Sequence, residues 1–283
     1  MFKNILIIGG SGFVGKGLCL SLKKKFNVTN LDIKKNKIKK IKYIKSNISN
    51  FNNTYKAIKK NDIIVLCAAM SDINISEQKI SETVFKNIYL VSKILEIFVK
   101  FKNKKFIYLS SIYVNGKNQD LYKFTKITSE NLIVDLLGKY KKNYVILRLP
   151  SMCGLFSRGS DVMSIFKKNI KTNKDLIIKG HGNQMRNFLF NEDFSKQFHK
   201  FLSKRYNNKI LNIFSEYSLS INNLARIFTS LSSNIKVVKK LDKFREDDFD
   251  FRSINIKKLK NIVKIKTKDN INNKIKKFIY QKK

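Results

Sequence analysis

The sequence predicts an α/β fold in which a doubly wound parallel sheet carries helices on both faces. Through the first half of the chain, short apolar runs alternate with segments of helical periodicity. Strands that alternate with helices pair in parallel, because each helix returns the chain to the same edge of the sheet. The strands are apolar throughout rather than at every second residue, as in Ile63-Ile64-Val65-Leu66. Such strands belong in a sheet that is covered on both faces.

The first half of the chain carries the pattern of the main sheet. Strands are predicted at residues 4–8, 28–32, 41–44, 62–68, 105–110 and 144–149. Helices are predicted at residues 13–24 and 122–140, and a further long helix carries the apolar stripe Ile88, Val91, Leu95 and Phe98. This stripe has the spacing of one helix face.

The pattern changes after Pro150, the single proline of the chain. Helices are predicted at residues 162–171, 192–204 and 221–231, the last with Ser220 as its N-cap, and near the C-terminus, where Ile271, Ile275 and Ile279 have helical spacing. Short strands are predicted at residues 176–179, 188–190 and 209–213. We therefore expect one domain at residues 1–150 and a smaller substrate-binding lobe at residues 151–283, some of whose segments return to the first domain.

The charge of the chain is strongly positive, with a formal net charge of +39 over 283 residues. Of its 59 basic residues only seven are arginine, and Asn, Ile, Phe and Tyr are also abundant. These residue types share A/T-rich codons, so genome composition accounts for most of the lysine. The lysines are scattered and no recognised nucleic-acid-binding motif is present, so nucleic acid is not the expected partner. A positive field still favours the collection of anionic substrates.

Composition also bears on compartment and on metal binding. No apolar run approaches the ~20 residues of a membrane span, and no signal peptide is recognised, so a cytoplasmic location is expected. Cys19, Cys67 and Cys153 are widely spaced and odd in number, which favours buried thiols over disulfides. His181 and His199 are the only histidines, and no Cys/His cluster predicts a metal site.

A glycine-rich turn joins the first predicted strand to the first predicted helix. Gly9, Gly12 and Gly15 form the pattern G-x-x-G-x-x-G. The first glycine permits a tight turn, the second lets a pyrophosphate approach the backbone, and the third lets helix and strand pack closely. The helix N-terminus adds free N–H groups and the positive end of the helix dipole. Residues 1–150 are therefore expected to form an NAD-binding Rossmann domain, in which Phe13 and Val14 also contact the cofactor.

An acidic residue follows this turn at the spacing of a ribose-binding carboxylate. Asp32 ends the second predicted strand, seventeen residues after Gly15. A carboxylate there accepts hydrogen bonds from the adenosine ribose hydroxyls and repels a 2′-phosphate, so NAD is predicted. Lys34 and Lys35 follow directly, and they leave NADP as the minority alternative because they would attract a 2′-phosphate.

Three further residues form a catalytic set. Ser111 follows the fifth strand, and Tyr122 and Lys126 stand at positions i and i+4 of a helix, on one face. A tyrosine of pKa ~10 is a poor base at neutral pH, and a nearby ammonium favours its phenolate. Ser111 is placed to bind the oxygen that becomes a carbonyl. The same spacing on a solvated helix face is common in lysine-rich chains, but here it occurs together with the glycine turn and Asp32.

Taken together, these motifs resemble the extended short-chain dehydrogenases of the NAD-dependent epimerase/dehydratase family, which act on nucleotide sugars. The resemblance covers nearly the whole chain. It includes the segments at residues 67–70, 147–154 and 180–188, together with Asn87 and Asp193. The resemblance implies substrate contacts from Ser111, Ser151 and Arg186, and the arginine would bind the substrate phosphate. The cofactor contacts that it implies are Gly9, Gly12, Phe13, Val14, Gly15, Asp32, Ile33, Asn47, Ile48, Cys67, Ala68, Ala69, Asn87, Tyr122, Lys126 and Pro150.

The chain departs from the family pattern at several positions. Asn47 stands where an acidic residue often contacts adenine, and Cys67 replaces a frequent histidine. The spacing from Ser111 to Tyr122 is eleven residues, which is short for extended members. Ile112-Tyr113 follows Ser111 in place of the Asp-Glu pair of 4,6-dehydratases, which argues against dehydration. Two further replacements affect the turn after Ser111 and the substrate contacts: Asn115 stands for a tyrosine, and Ser151 for an asparagine.

Two kinds of function follow from this pattern. The first is an NAD-dependent nucleotide-sugar epimerase or 4-keto-sugar reductase that transfers hydride with Tyr122 as the general base. The alternative is a non-catalytic dinucleotide-binding module, such as a redox sensor or an assembly factor. The Ser111/Tyr122/Lys126 set favours the enzyme, and the short loop before Tyr122 favours the module. The sequence leaves the identity of the sugar open, as well as the formation of a homodimer.

Overall fold

The computed structural model describes residues 2–35, 38–117, 119–157, 159–232, 234–240 and 249–280. In chain order the strands are β1 (Asn4–Ile8), β2 (Asn27–Asp32), β3 (Lys42–Lys45), β4 (Ile63–Leu66), β5 (Lys105–Ser111), β6 (Asn143–Leu149), β7 (Ser151–Cys153), β8 (Leu176–Lys179), β9 (Met185–Phe190), β10 (Lys209–Ser215), β11 (Ser218–Ser220), β12 (Val237–Lys240) and β13 (Ile262–Ile265). The α-helices are α1 (Phe13–Leu22), α2 (Phe51–Lys59), α3 (Ile73–Gln78), α4 (Ile80–Val84), α5 (Leu90–Phe98), α6 (Leu121–Lys139), α7 (Val162–Lys171), α8 (Asn191–Gln197), α9 (Ile221–Thr229) and α10 (Ile271–Tyr280).

The main sheet has eight strands in the order β13-β10-β6-β5-β4-β1-β2-β3. Every neighbouring pair is parallel. From β1 the chain runs outward through β2 and β3 on one side, and then crosses to β4, β5 and β6 on the other. Ligands of open α/β sheets bind at the carboxyl edge where the strand order reverses in this way. The predicted fold class, a doubly wound Rossmann-type sheet, is confirmed.

Both faces of the sheet are buried. Along β1, Ile5 and Ile7 pack into one apolar cluster with α1 and α8. Leu6 and Ile8 pack into the opposite cluster with α2, α5 and α6. Successive side chains of a strand point to opposite faces, so a strand between two helix layers must be apolar throughout. This arrangement explains the unbroken apolar runs of the sequence.

The second half of the chain divides between the sheet and a separate lobe. Strands β10 and β13 extend the sheet beyond β6, and α8 packs on α1, where the Asn191 amide donates to the Phe13 carbonyl at 2.9 Å. The lobe consists of a sheet β11-β9-β7, a strand pair β12-β8, and helices α7, α9 and α10 around a third apolar cluster. The division at residue 150 stays a prediction, with β10, β13 and α8 as the later segments that lie on the main sheet.

Several elements differ from the sequence-based expectation. The helix predicted at residues 192–204 ends at Gln197 and continues as a 3₁₀ turn, Phe198–Leu202. This tighter winding places Phe198 and Phe201 on one face, and both are buried. Helix α2 was not predicted because it is mostly polar, although the Asn50 side chain caps it by accepting from the Asn53 N–H group. None of the helices in the described ranges is long and apolar enough to cross a membrane.

Candidate active site

The glycine loop lies at the carboxyl end of β1, where the strand order reverses. Gly9 has a φ of +87°, and an added Cβ would lie 2.7 Å from the Ala68 nitrogen. A Cβ on Gly15 would collide with the Gly9 carbonyl. Gly12 is the N-cap of α1 and gives no side-chain hydrogen bond, so the first N–H groups of the helix remain for an anion. The loop therefore has the close backbone approach and the helix dipole that a pyrophosphate group requires.

Asp32 lies beside this loop at the end of β2. One of its carboxylate oxygens accepts the Ser11 N–H at 2.9 Å, and the other accepts the Lys34 N–H at 2.9 Å. The carboxylate is thus fixed between the glycine loop and the turn that follows β2. Ile33 is exposed next to it. Asn47 is also exposed at this edge, but its side-chain oxygen accepts the Ser49 N–H at 3.1 Å.

We expect the unmutated protein to bind NAD more tightly than NADP, because the Asp32 carboxylate repels a 2′-phosphate. Hydrogen bonds to charged groups contribute about 1.5–3 kcal/mol, so Asp32→Ala should weaken the affinity for NAD about ten- to a hundredfold. The difference between the affinities for NAD and NADP should become smaller. Both affinities are measured by calorimetry. Asp62→Ala is the matched control, because Asp62 also accepts two backbone N–H groups but at the amino end of the sheet. Tighter binding of NADP by the unmutated protein would refute the assignment.

The loop after β4 closes over the end of β1. The N–H groups of Cys67 and Ala68 both donate to the Ile8 carbonyl, at 2.9 and 3.1 Å. Burial raises the pKa of the Cys67 thiol far above its usual range, so the thiol is neutral at this position. Ala69 follows, half-buried. The sequence-predicted contacts Gly9, Cys67 and Ala68 are thereby brought together.

Asn87 clamps this loop to helix α6. Its side chain is buried within a π-helical turn, Phe85–Tyr89, that separates α4 from α5. Its oxygen accepts the Met70 N–H at 2.8 Å, and its nitrogen donates to the Met70 carbonyl at 2.9 Å and to the Thr125 hydroxyl at 3.1 Å. Single π-helical turns frequently occur at functional sites, where they redirect a side chain. Here the turn directs an amide between the loop and the helix that carries Tyr122.

Ser111, Tyr122 and Lys126 lie together at the carboxyl edge of the sheet. Ser111 ends β5, its hydroxyl accepts the Tyr113 N–H at 3.2 Å, and this hydroxyl lies near the Tyr122 phenol. Helix α6 begins at Leu121 because the Asp120 carboxylate caps it, accepting the Lys123 N–H at 2.7 Å. The Lys126 Nζ atom is 5.7 Å from the centroid of the Tyr122 ring.

The electrostatics of this group are set mainly by burial. Burial raises the pKa of Tyr122, whereas the Lys126 ammonium and the Ser111 hydrogen bond oppose the rise. Burial also lowers the pKa of Lys126, against the nearby Tyr122 and Glu130. Tyr122 is therefore a neutral phenol in the cofactor-free protein. Further positive charge beside it would favour the phenolate.

A buried ion pair that was not predicted from the sequence supports the helix that carries Tyr122. The Glu130 carboxylate is 2% exposed and accepts the Ser110 hydroxyl. It also accepts two hydrogen bonds from Arg148 of β6, at 3.1 Å from Nε and 2.6 Å from Nη2. Arg148 in turn donates to the Asn115 side chain at 2.9 Å. Glu130 stands four residues after Lys126 on the same helix face, so the spacing Tyr122, Lys126, Glu130 is the local signal for this residue.

The predicted substrate residues Ser151 and Arg186 lie in one small sheet, on β7 and β9. Arg186 is largely buried, and its guanidinium carbon is 5.4 Å from the Phe249 ring centroid and 6.0 Å from that of Tyr113. These two rings stack at 4.0 Å. Arg186 is thereby brought to the segment that follows Ser111. Pro150 is buried directly after β6, whose Leu149 pairs with Ser111, whereas Ser151 pairs with Phe188 in the small sheet.

The rest of the site has no metal-binding character. No three His, Cys, Asp or Glu side chains lie close enough together to hold a metal ion among the residues that the structure describes. The phenylalanine at position 249 was not predicted to contribute, because nothing in its local sequence connects it with Tyr113.

The chain is similar to known enzymes over most of its length. It is 25% identical over 254 residues to the dTDP-D-glucose 4,6-dehydratase of Mus musculus, and the match covers 79% of this chain and 71% of the mouse protein. The structure of UDP-N-acetylglucosamine 4-epimerase from Methanobrevibacter ruminantium M1, in complex with UDP-N-acetylmuramic acid, matches with a TM-score of 0.83 at 21% identity, over 98% of this chain and 97% of that one. UDP-glucuronic acid 4-epimerase from Bacillus cereus, in complex with UDP-glucuronic acid and NAD, matches with a TM-score of 0.78 at 22% identity, over 84% and 86% of the two chains.

The sequence model of one family matches most of the chain. The family is described as the NAD dependent epimerase/dehydratase family, and the match covers residues 5–213. It confirms the resemblance drawn from the motifs, the enzyme class and NAD as the cofactor. On this basis the chain belongs to the NAD-dependent epimerase/dehydratase family.

Proposed function

We propose that this chain is a nucleotide-sugar epimerase or 4-keto-sugar reductase that uses Tyr122 as its general base. The observation that carries the proposal is the arrangement of Tyr122 beside the Ser111 hydroxyl and the Lys126 ammonium. This group stands at the same edge of the sheet as the glycine loop and Asp32. A base, its tuning charge and a dinucleotide-binding loop are the parts that oxidation of a sugar hydroxyl requires.

The residues have distinct roles in this reaction. Bound NAD would supply the acceptor for the hydride that leaves the carbon bearing the reacting hydroxyl. Ser111 would hold the oxygen of that hydroxyl, and Tyr122, in its phenolate form, would accept the hydroxyl proton, so that the carbon–oxygen bond becomes a carbonyl. Lys126 keeps positive charge beside Tyr122, which lowers the pKa of the phenol. In the reverse direction, Tyr122 returns the proton to the oxygen.

Dehydration is disfavoured by the residues that follow Ser111. Elimination of water from a sugar needs its own acid and base beside the ring. Positions 112 and 113 are an isoleucine and a tyrosine, so neither supplies a carboxyl group. Ile112 is buried, and Tyr113 stacks on Phe249. Glu130, the carboxylate on the same face of α6, is held in its ion pair with Arg148. We therefore prefer epimerisation or reduction, although the mouse relative is a dehydratase by name.

Cofactor demand separates these two reactions. An epimerase returns the hydride to the same sugar, so it needs only catalytic amounts of NAD. A 4-keto-sugar reductase consumes one NADH for each product. UDP- and dTDP-sugars are incubated with NAD, and 4-keto sugars with NADH, and the products are identified by NMR. The proposal fails if purified protein that binds NAD converts no sugar in either arm.

We expect Arg186→Ala to raise the KM for the nucleotide sugar, because Arg186 would bind the substrate phosphate through charge-assisted hydrogen bonds. Such bonds contribute about 1.5–3 kcal/mol, so the KM should rise about ten- to a hundredfold. NAD affinity should be unchanged. Arg226→Ala removes the same charge from an exposed position of α9 and serves as the control. A loss of NAD affinity with an unchanged KM for the sugar would show that Arg186 binds the cofactor and not the substrate phosphate.

The cellular setting is part of the same proposal. Cys19, Cys67 and Cys153 are all free thiols. Free cysteines are typical of a reducing compartment, and nucleotide sugars are anionic. We therefore place the enzyme in the cytoplasm, where the excess positive charge of the chain would favour encounters with such substrates.

A further inference from the structure

The buried side of Lys126 is held by a tyrosine outside the predicted catalytic set. The Lys126 residue is only 3% exposed. Its Nζ atom donates to the Tyr108 hydroxyl at 3.2 Å and to the Leu109 carbonyl at 2.9 Å. Both partners belong to β5, the strand that ends at Ser111. An ammonium has three N–H donors, so these contacts leave one donor directed away from the strand.

A serine of α6 lies on the other side of Tyr108. Ser129, one turn after Lys126, is close enough to the Tyr108 phenol to lower its pKa against the effect of burial. The Ser129 hydroxyl donates its proton to the Asn87 carbonyl at 2.5 Å. Tyr108 accepts from Lys126, so its own phenol proton points away from Nζ.

We propose that Tyr108 is a positioning residue that fixes the Lys126 ammonium beside Tyr122. This inference rests on the proposed function, in which Lys126 tunes Tyr122. A lysine side chain is a flexible stem with a compact charge, so its position must be imposed by its partners. Tyr108 supplies the one side-chain oxygen that bonds Nζ directly among the described residues.

Tyr108 serves for orientation and not for proton release. The neighbouring Ser129 hydroxyl donates to the backbone carbonyl of Asn87, which accepts a hydrogen bond but passes no proton on. Tyr108 and Ser129 are themselves buried. Burial raises the pKa of the Tyr108 phenol well above its usual range, so Tyr108 stays protonated while Tyr122 titrates.

Other titratable groups face Lys126 and Tyr122, and each is accounted for. Lys126 faces Tyr122 and Glu130 on its own helix and Cys67 after β4. Glu130 is paired with Arg148, and the Cys67 thiol is neutral. Tyr122 additionally faces Tyr113 and Tyr108. A substitution of Tyr108 therefore affects the pKa of Tyr122 through the Lys126 ammonium.

We expect Tyr108→Phe to lower kcat about tenfold at neutral pH and to shift its ascending pH limb upward by about one unit. The substitution keeps the ring but removes one acceptor from a buried ammonium, which lowers the pKa of Lys126. Less positive charge beside Tyr122 raises the pKa of the phenol. Because a general base must be deprotonated to act, the rise in activity with pH then begins at a higher pH. The KM for the sugar should be nearly unchanged.

The control is Tyr144→Phe, which removes a phenol oxygen from the neighbouring strand β6 in the same apolar cluster. Its pH profile should match that of the unmutated protein. Ser129→Ala keeps Tyr108 in place and should shift the limb in the same direction by less. It also serves if Tyr108→Phe fails to fold. If Tyr108→Phe lowers kcat without shifting the ascending limb of the pH profile, Tyr108 has only a structural role and the proposal is overturned. An unchanged pH profile of kcat would overturn it as well.

A second readout does not depend on turnover. Tyrosinate absorbance is titrated with NAD present, and the curve of Tyr122→Phe is subtracted from that of the unmutated protein, which isolates Tyr122. The same subtraction is made in the Tyr108→Phe background. The pKa of Tyr122 should be higher in that background, and an equal or lower value would overturn the proposal. If no nucleotide sugar is turned over, the proposed function fails, but this titration still decides the role of Tyr108.

Discussion

Replacement of Tyr122 by Phe is expected to lower kcat by ~10²–10⁴-fold, the usual contribution of a general base. The substitution removes the only atom that can accept the substrate proton at this position, while Ser111 and Lys126 stay in place. NAD affinity should be unaffected, because the glycine loop and Asp32 are untouched. The fold should also survive the loss of one oxygen. Turnover and NAD binding are measured in parallel on the purified proteins.

Two further variants distinguish loss of the base from general damage. Lys126→Met should reduce both turnover and NAD affinity, since the resemblance implies that Lys126 also holds the cofactor ribose. Tyr140→Phe is the matched control, because Tyr140 caps the far end of α6 and is half exposed. It should leave kcat unchanged. Full turnover by Tyr122→Phe would show that another group is the base.

Replacement of Glu130 by Ala is expected to have the largest effect on stability. Removal of one partner of a buried ion pair costs about 3–5 kcal/mol, because the remaining charge is left unpaired. The Arg148 side chain is 19% exposed, so some water reaches it and the lower end, about 3 kcal/mol, is expected. The pair links α6 to β6, and the Ser110 hydroxyl also loses its acceptor. Urea unfolding of the variant and the unmutated protein measures the difference.

An exposed ion pair provides the control for this measurement. Glu96 and Lys93 form a pair on α5 at 2.9 Å, with the Glu96 side chain 57% exposed. Exposed pairs contribute about 0–1 kcal/mol, so Glu96→Ala should change the free energy of unfolding by no more than that. If Glu130→Ala destabilises the protein no more than Glu96→Ala does, the buried network does not hold the catalytic helix.

The sheet was predictable because its signals are local. The apolar runs of β1 and β4 and the glycine turn after β1 each occupy a few consecutive residues. Helix α2 and strand β13 were missed for the opposite reason. Helix α2 is polar on most of its surface, and β13 (Ile262–Ile265) alternates apolar residues with a lysine at the sheet margin. Their assignment depends on partners that are distant in the chain.

The candidate site shows the same limit. Gly9, Asp32, Ser111, Tyr122 and Lys126 were selected from spacing, and their roles stay predictions until variants are measured. Contacts that depend on the folded chain were not accessible in this way. No periodicity connects Tyr108 with Lys126, and none connects Tyr113 with Phe249. The side chains that orient the catalytic residues were therefore found only in the structure.

The most direct test of the proposed chemistry is turnover of nucleotide sugars by the purified protein. UDP-glucose, UDP-N-acetylglucosamine, UDP-glucuronic acid and dTDP-glucose are each incubated with NAD, and their 4-keto derivatives with NADH. We expect at least one sugar to be converted to its epimer or to be reduced, and Tyr122→Phe to abolish nearly all of that conversion. Binding of NAD without conversion of any sugar would contradict the enzymatic assignment and favour a non-catalytic dinucleotide-binding protein.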